Sequence, residues 1–256
     1  MKSSLGPSRL LGAIGLLCCG ITAPAQAVNI SVKITVDNSY ALFYGTNTAA
    51  TTFVGSDFYW PSVETYNFNL PANHYLYVVT ASDLSVAQGF FGQFENLDDN
   101  YKFYSNDPQW QVMATGLGSN APYTGSAADL ALLTQEIIDA NGGGNASNGW
   151  VATVQGPNNG SGVWGGPLGG IDTEARWVWH SANGDPDPTS PGFDHDEWLV
   201  FRIALAASPN DPNPDPTCRS PELFPTCRSP ELFRSTPSRS VSSRRCVAGA
   251  NRRWAR

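Results

Sequence analysis

Val28-Asn29-Ile30-Ser31-Val32-Lys33-Ile34-Thr35-Val36 alternates without a break. Val28, Ile30, Val32, Ile34 and Val36 fall on one side, and Asn29, Ser31, Lys33 and Thr35 on the other. Successive side chains of an extended chain point to opposite faces, so a repeat of two over this length reads as a half-buried strand. Similar runs follow at Tyr40 to Tyr44, Val63 to Leu70, Tyr75 to Thr80, Trp110 to Thr115, Trp150 to Val154, Ala175 to His180 and Trp198 to Leu205. They are rich in Val, Tyr, Phe and Trp, and Gly, Asn, Asp and Pro lie between them. The pattern predicts an all-β chain, an antiparallel β-sandwich of about eight strands.

One segment breaks the repeat. Leu130, Leu133, Ile137 and Ile138 fall at helical spacing, Ser126 stands where an N-cap belongs, and Gly142 to Gly144 end the run. This predicts a single amphipathic helix over residues 126–141, inserted in the sandwich and packed across one of its ends.

The chain divides into three. Lys2 and Arg9 precede the apolar stretch Leu10 to Ile21, which is short for a membrane span, and Ala25-Gln26-Ala27 offers the small residues of a cleavage site. Residues 1–27 therefore read as a signal peptide, residues 28–208 as the β-sandwich domain and residues 209–256 as a tail. All five cysteines lie outside residues 28–208. The body has no disulfide, no cysteine-based zinc site and no thiol nucleophile, and a core of roughly 180 residues must suffice.

The body carries 18 Asp and Glu against four basic residues, Lys33, Lys102, Arg176 and Arg202, a net charge of −14 where the whole chain has −7. Such a field repels nucleic acid and anionic lipid heads, and it attracts divalent cations. No second apolar run is long enough to span a membrane.

The tail repeats itself. Pro216 to Phe224 and Pro225 to Phe233 both read Pro-Thr-Cys-Arg-Ser-Pro-Glu-Leu-Phe, and the Arg- and Ser-rich Arg234 to Arg256 follows. One codon set, CCG ACC TGC CGG AGC CCG GAG CTC TTC, turns the repeat into Asp-Leu-Pro-Glu-Pro-Gly-Ala-Leu-Pro when read from the third base. The shifted reading of the remainder permits mostly Leu, Ala, Val and Gly. A Pro-Glu-Pro motif, an apolar segment and a basic finish resemble the PEP-CTERM sorting signal. That resemblance implies export by a Gram-negative bacterium, processing by an exosortase, and a frameshifted tail. The competing reading is a disordered Pro/Ser/Arg tail.

Within the body, several stretches resemble galactose-binding-like jelly-roll domains. They are Val36-Asp37-Asn38 with Tyr40 to Gly45; Val54-Gly55 and Trp60; Tyr66 to Pro71 with Tyr75 to Val79; Asp83 and Gly89; and Ala175 to Trp179 with Trp198 to Arg202. The resemblance implies an eight-stranded jelly roll, a structural calcium ion and glycan binding. The helix and the Gly-rich stretch Asn141 to Gly170 depart from that pattern.

Two constellations offer chemistry. Asp185, Asp187, Asp194, Asp196 and Glu197 form an acidic loop before the last strand, with Asp37 as a co-ligand if first and last strands are neighbours. Calcium needs several such oxygens on a bent loop, while a solvated acidic loop is the competing reading. Tryptophans are the other resource. Trp177 and Trp179 share one face of a strand and suit a core, while Arg176, Val178 and His180 share the other. Trp164, set in Gly160-Ser161-Gly162-Val163-Trp164-Gly165-Gly166, has few bulky sequence neighbours and reads as an exposed sugar platform. Trp164, Trp177 and Arg176 are the candidate ligand-binding residues. No nucleophile elbow, zinc-binding helix or phosphate loop is present.

These features predict a secreted, non-catalytic module that binds a glycan or an extracellular matrix polymer. A structural surface or biofilm protein without specific sugar binding is the alternative of a second class, and an extracellular hydrolase is that of a third.

Overall fold

The structure, a computed structural model, describes residues 27–82, 88–118, 126–162, 164–182 and 197–205. Residues 1–26 and 206–256 lie outside these, and with them the expected tail, 209–256, and all but Ala27 of the expected signal peptide, 1–27. Among the described residues, twelve strands and one helix form two antiparallel sheets and their coverings.

The first sheet holds β1 (Val28–Asp37), β4 (Glu64–Leu70), β6 (Gly89–Asn96), β7 (Tyr101–Tyr104), β10 (Val154–Asn158) and β11 (Arg176–Trp179). Its order is β10-β11-β6-β1-β4, and β7 shares a side of β6 with β11. The second sheet holds β2 (Ser39–Thr46), β3 (Ala49–Asp57), β5 (Tyr75–Ala81), β8 (Gln111–Gly118), β9 (Val151–Ala152) and β12 (Glu197–Ala204), in the order β3-β2-β5-β12-β8-β9. The chain changes sheet at most of its connections, beginning with Asn38 between β1 and β2.

The alternation that opens the sequence decides the interior. Ile30, Val32, Ile34 and Val36 point between the sheets. There they meet Tyr40 and Leu42 of β2, Leu76 and Val78 of β5, Phe90 and Phe94 of β6, and Leu199, Phe201 and Ile203 of β12. Trp110 fills the space beside Phe90 and Phe94, with ring centroids 5.0 and 5.2 Å away. Burying each such side chain contributes about 1.5–3 kcal/mol, and this layer is the main store of stability.

Both outer faces are also covered. On the second sheet, Ala41, Phe43, Tyr77, Val79, Met113, Trp198 and Val200 point outward against Leu133, Ile137 and Ala140 of a helix, α1 (Ala127–Gly142). The Ser126 hydroxyl accepts from the Asp129 amide at 3.1 Å. Gly143, in the left-handed region at φ 72°, closes the other end with its N–H on the Ala140 carbonyl. The helix thus forms where its periodicity and caps place it. It lies on a sheet face and not across an end, because the second sheet presents a second apolar row that must be buried. Ile138 is exposed as a result.

The first sheet is covered without a helix. The coil between β10 and β11 folds back over it, and Trp164, Ile171 and Ala175 join Phe91, Trp177 and Trp179 in a third buried cluster. Asn159 ties this coil together. Its amide nitrogen donates to the carbonyls of Leu168 and Ile171 at 3.0 and 2.8 Å, and its oxygen accepts from the Leu168 amide at 2.8 Å.

The strand count exceeds the expected eight for a local reason. β6 carries Gly89 and Gly92, which weaken a strand signal. Both are demanded by packing. A Cβ on Gly89 would lie 3.0 Å from the Trp164 ring, and one on Gly92 3.0 Å from the Phe90 ring. β7 and β9 are too short to show a period.

Candidate functional site

The residues singled out from sequence do not converge. Trp164 is 5% exposed. Its ring lies parallel to that of Trp177, centroids 4.0 Å apart at 9°. Its Nε1 donates to Asp37 Oδ2 at 2.9 Å. The expectation of an exposed platform is therefore corrected. Glycine neighbours did not leave the indole bare: Gly162 lies close against Pro157 of β10, and Gly89 on the sheet leaves room for the Trp164 ring. Trp177 is buried too, stacked on Phe91 from the other side at 5.1 Å. Neither ring presents a face to a polymer. Arg176 is exposed at the start of β11 and does not share their cluster.

Asp37 is 7% exposed and holds the Trp164 indole. Glu197 opens β12 and accepts from the Gly116 amide. Asp185, Asp187, Asp194 and Asp196 lie outside the described residues. Among the described residues, no three His, Cys, Asp or Glu side chains are grouped to hold a metal ion.

A different constellation stands at the edge where β3 and β4 meet. β3 ends at Asp57, the chain runs through Phe58-Tyr59-Trp60-Pro61-Ser62-Val63, and β4 begins at Glu64. Asp57 pairs in register with Tyr40, and Glu64 with Ile34. Tyr40 and Ile34 face the interior, so both carboxylates sit on the inward side of their strands, at the mouth of the sandwich. Beneath them the Tyr40 and Tyr66 hydroxyls meet at 3.0 Å.

The loop is built from its own polar residues. Asp57 Oδ2 accepts from the Tyr59 amide at 3.1 Å, an Asx turn that reverses the chain. The Ser62 amide donates to the Tyr59 carbonyl at 3.0 Å. The Thr35 hydroxyl holds the Trp60 carbonyl at 2.6 Å, and the Trp60 side chain packs against the third cluster. Trp60 is thus the root of the loop. Phe58 and Tyr59, 60% and 66% exposed, are its tip.

The Ser62 hydroxyl lies 3.1 Å from Asp57 Oδ2, from Glu64 Oε1 and from the Tyr59 carbonyl oxygen. A hydroxyl has one hydrogen, so it serves one carboxylate at a time. The acidic pair is felt below it. Burial first, then the hydrogen bond to Tyr66 and the nearby charges of Tyr66, Asp57 and Glu64, push the Tyr40 hydroxyl far above the usual phenol range. Tyr66 is raised as well, by burial first and also by Glu64 and Asp57, against the opposing bond from Tyr40. Both phenols stay neutral and able to donate at any physiological pH.

Among the described residues, no cation answers the pair. The one ion pair among the described residues joins Lys102 to Asp172 at 3.1 Å, on the outer side of the first sheet. Lys33 alternates away from Ile34 and acts on Asp172. Arg202 is buried on the outer face of the second sheet. It lies 3.8 Å over the Trp150 ring and donates to Gln111 and Asn141.

The sequence reasoning missed this site, although a signal existed. Three consecutive aromatics between Asp57 and Pro61 belong to no period, and the turn residues around them mark a loop. A loop aromatic that does not root the loop is left in solvent.

No protein-family model, curated protein or solved structure matches the chain. No helix among the described residues is long and apolar enough to cross a membrane.

Proposed function

We propose that this protein is an exported, non-catalytic module that binds a glycan or an extracellular matrix polymer through the loop between β3 and β4. The observation that carries this reading is two exposed aromatic residues in one loop, Phe58 and Tyr59, which follow Asp57 in sequence, the Asp57 carboxylate lying with that of Glu64 on the Ser62 hydroxyl. Sugars offer apolar C–H faces to aromatic rings and hydroxyls to carboxylates, and this one loop and its strand ends carry both kinds of group. An exposed aromatic pair otherwise costs solubility, which favours a partner that covers it. The N-terminal sequence Lys2 to Ala27 supports export.

The test is a glycan array probed with the full chain and with Phe58→Ala/Tyr59→Ala. The double variant should lose binding and keep its stability within about 0.5 kcal/mol per site, as exposed positions do. An absence of binding to every polysaccharide, together with self-association, would favour a structural surface protein instead.

A further inference from the structure

We propose that β4 is a self-association edge: two copies of this chain pair β4 with β4, antiparallel and centred on Asn67, so that their first sheets join into one. The inference does not rest on the glycan reading.

β4 stands at the end of the first sheet, with β1 on one side only. The other strands that end a sheet are blunted. β9 has two residues and β7 four. β10 breaks its register between Gln155 and Asn158 and holds Pro157. β3 shifts register against β2 twice. Short strands, prolines and bulges are the usual guards of an open edge. β4 has none of them. Its seven residues keep an unbroken register with β1, and its only charge is Glu64, at the start.

Water satisfies an open edge, so openness alone selects no partner; the register selects a second copy. The Asn29 carbonyl accepts from the Leu97 amide at 2.8 Å, just past the end of β6. The odd-numbered residues of β1 therefore turn their backbone groups to β6, and the even-numbered ones to β4. Glu64, Tyr66, Phe68 and Leu70 pair with those even-numbered residues and are bonded to β1. Thr65, Asn67 and Asn69 turn their N–H and C=O groups to the free edge. An antiparallel copy centred on Asn67 sets Asn67 against Asn67, and Thr65 against Asn69 on either side of it. Every one of those N–H groups then meets a C=O. The same register places Tyr66 against the second copy's Phe68, and Phe68 against its Tyr66, in the positions where side chains across two strands lie closest. Both rings are half-buried against the core, so pairing covers apolar surface that one copy leaves open. On the outer face Thr65, Asn67 and Asn69 are exposed and uncharged, and Glu64 falls opposite Leu70, so no like charges meet.

Sedimentation of the full chain from about 5 to about 500 μM should show a monomer passing to a dimer and to nothing larger, because a small two-fold contact is weak and closes on itself. The chain is acidic and repels its copy, so raising salt from about 50 to about 500 mM should tighten the dimer. Asn67→Pro removes one N–H from each copy on the side away from β1, where an edge strand tolerates proline. It should raise the dissociation constant at least about tenfold, the weight of two hydrogen bonds. Asn67→Lys, which sets like charges face to face, should do the same without touching the backbone. Melting temperatures of the dilute variants check that the monomer still folds. Amide exchange reads the register: Thr65, Asn67 and Asn69 should gain protection as concentration rises, while Tyr66 and Phe68 should not change.

A monomer at every concentration overturns the inference. Protection of the same three amides by an unrelated peptide of alternating Thr and Val would then give the edge to a foreign strand. A dimer that survives both variants, or whose concentration-dependent protection falls on β3, also overturns it, as does growth past the dimer.

Discussion

The two sheets bury their outer faces by different means. The second uses a helix and the first uses a coil. A helix satisfies its own backbone, so α1 needs only an apolar stripe and two caps to lie on Phe43, Tyr77 and Val200. A coil has no such ladder. Buried N–H and C=O groups of such a coil must find partners one at a time, and the side chains of Asn159 and Gln93 supply several, while the Trp164 indole adds a side-chain bond to Asp37. The helical cover is held chiefly by apolar contact, and the coil cover by apolar contact and named polar groups together.

The largest effect should come from the aromatic centre of the coil cover. Trp164→Ala should cost about 3–5 kcal/mol, against about 2–5 for Ile137→Ala in the helical cover. Urea denaturation of both variants measures this. A loss below about 0.5 kcal/mol at Trp164 would break the comparison, since the coil would then cover nothing of consequence.

A smaller difference separates the polar fastenings. Asn159→Ala strips partners from two carbonyls and one amide and should cost about 1–3 kcal/mol. Ser126→Ala removes one cap and should cost about 1 kcal/mol. Equal losses in thermal melts would show that the coil is held by its aromatic contacts alone.

The smallest effect lies on the surface. The hydrogen bond from Lys102 holds the Asp172 carboxyl below the usual carboxylate range, and Tyr104 and Lys33 act in the same direction against burial. A depressed folded value means a contribution present above the ordinary carboxylate range, about 4, and lost as pH falls through the folded value. Asp172→Asn should thus narrow the gap in urea midpoint between pH 7 and pH 3. Solvent screening keeps the change small, since both side chains are about two-fifths exposed. An unaltered gap would remove the Asp172 carboxylate, though not its backbone amide, from the coil's fastenings.

Legibility in the sequence follows the same divide. β1 and α1 were readable because burial repeats within a few residues, at two and at 3.6. β6 was not, because Gly89 answers to the Trp164 and Trp177 rings far away in sequence, and Gly92 to the Phe90 and Phe94 rings of its own strand. Trp164 misled for the same reason: the groups that bury it are Trp177 and Asp37, not its neighbours. Arg176 carried no signal beyond its place beside Trp177. The loop tip at Phe58 and Tyr59 was partly legible as turn chemistry around three aromatics, but its carboxylates face each other only once β3 and β4 come together. The acidic stretch Asp185 to Asp196 has no position among the described residues.

Strand β12 comes last in the described chain, yet it lies in the middle of the second sheet, with β5 on one side and β8 on the other. As the chain grows from its N-terminus, that sheet remains two separate halves until residues 197–204 arrive. Leu199 must then find Thr80 and Ala114 across long loops, a slow, non-local closure. A chain that stops before Glu197 keeps two raw strand edges, β5 and β8, each able to recruit a stranger's strand. Completeness of synthesis is therefore this fold's guard against aggregation.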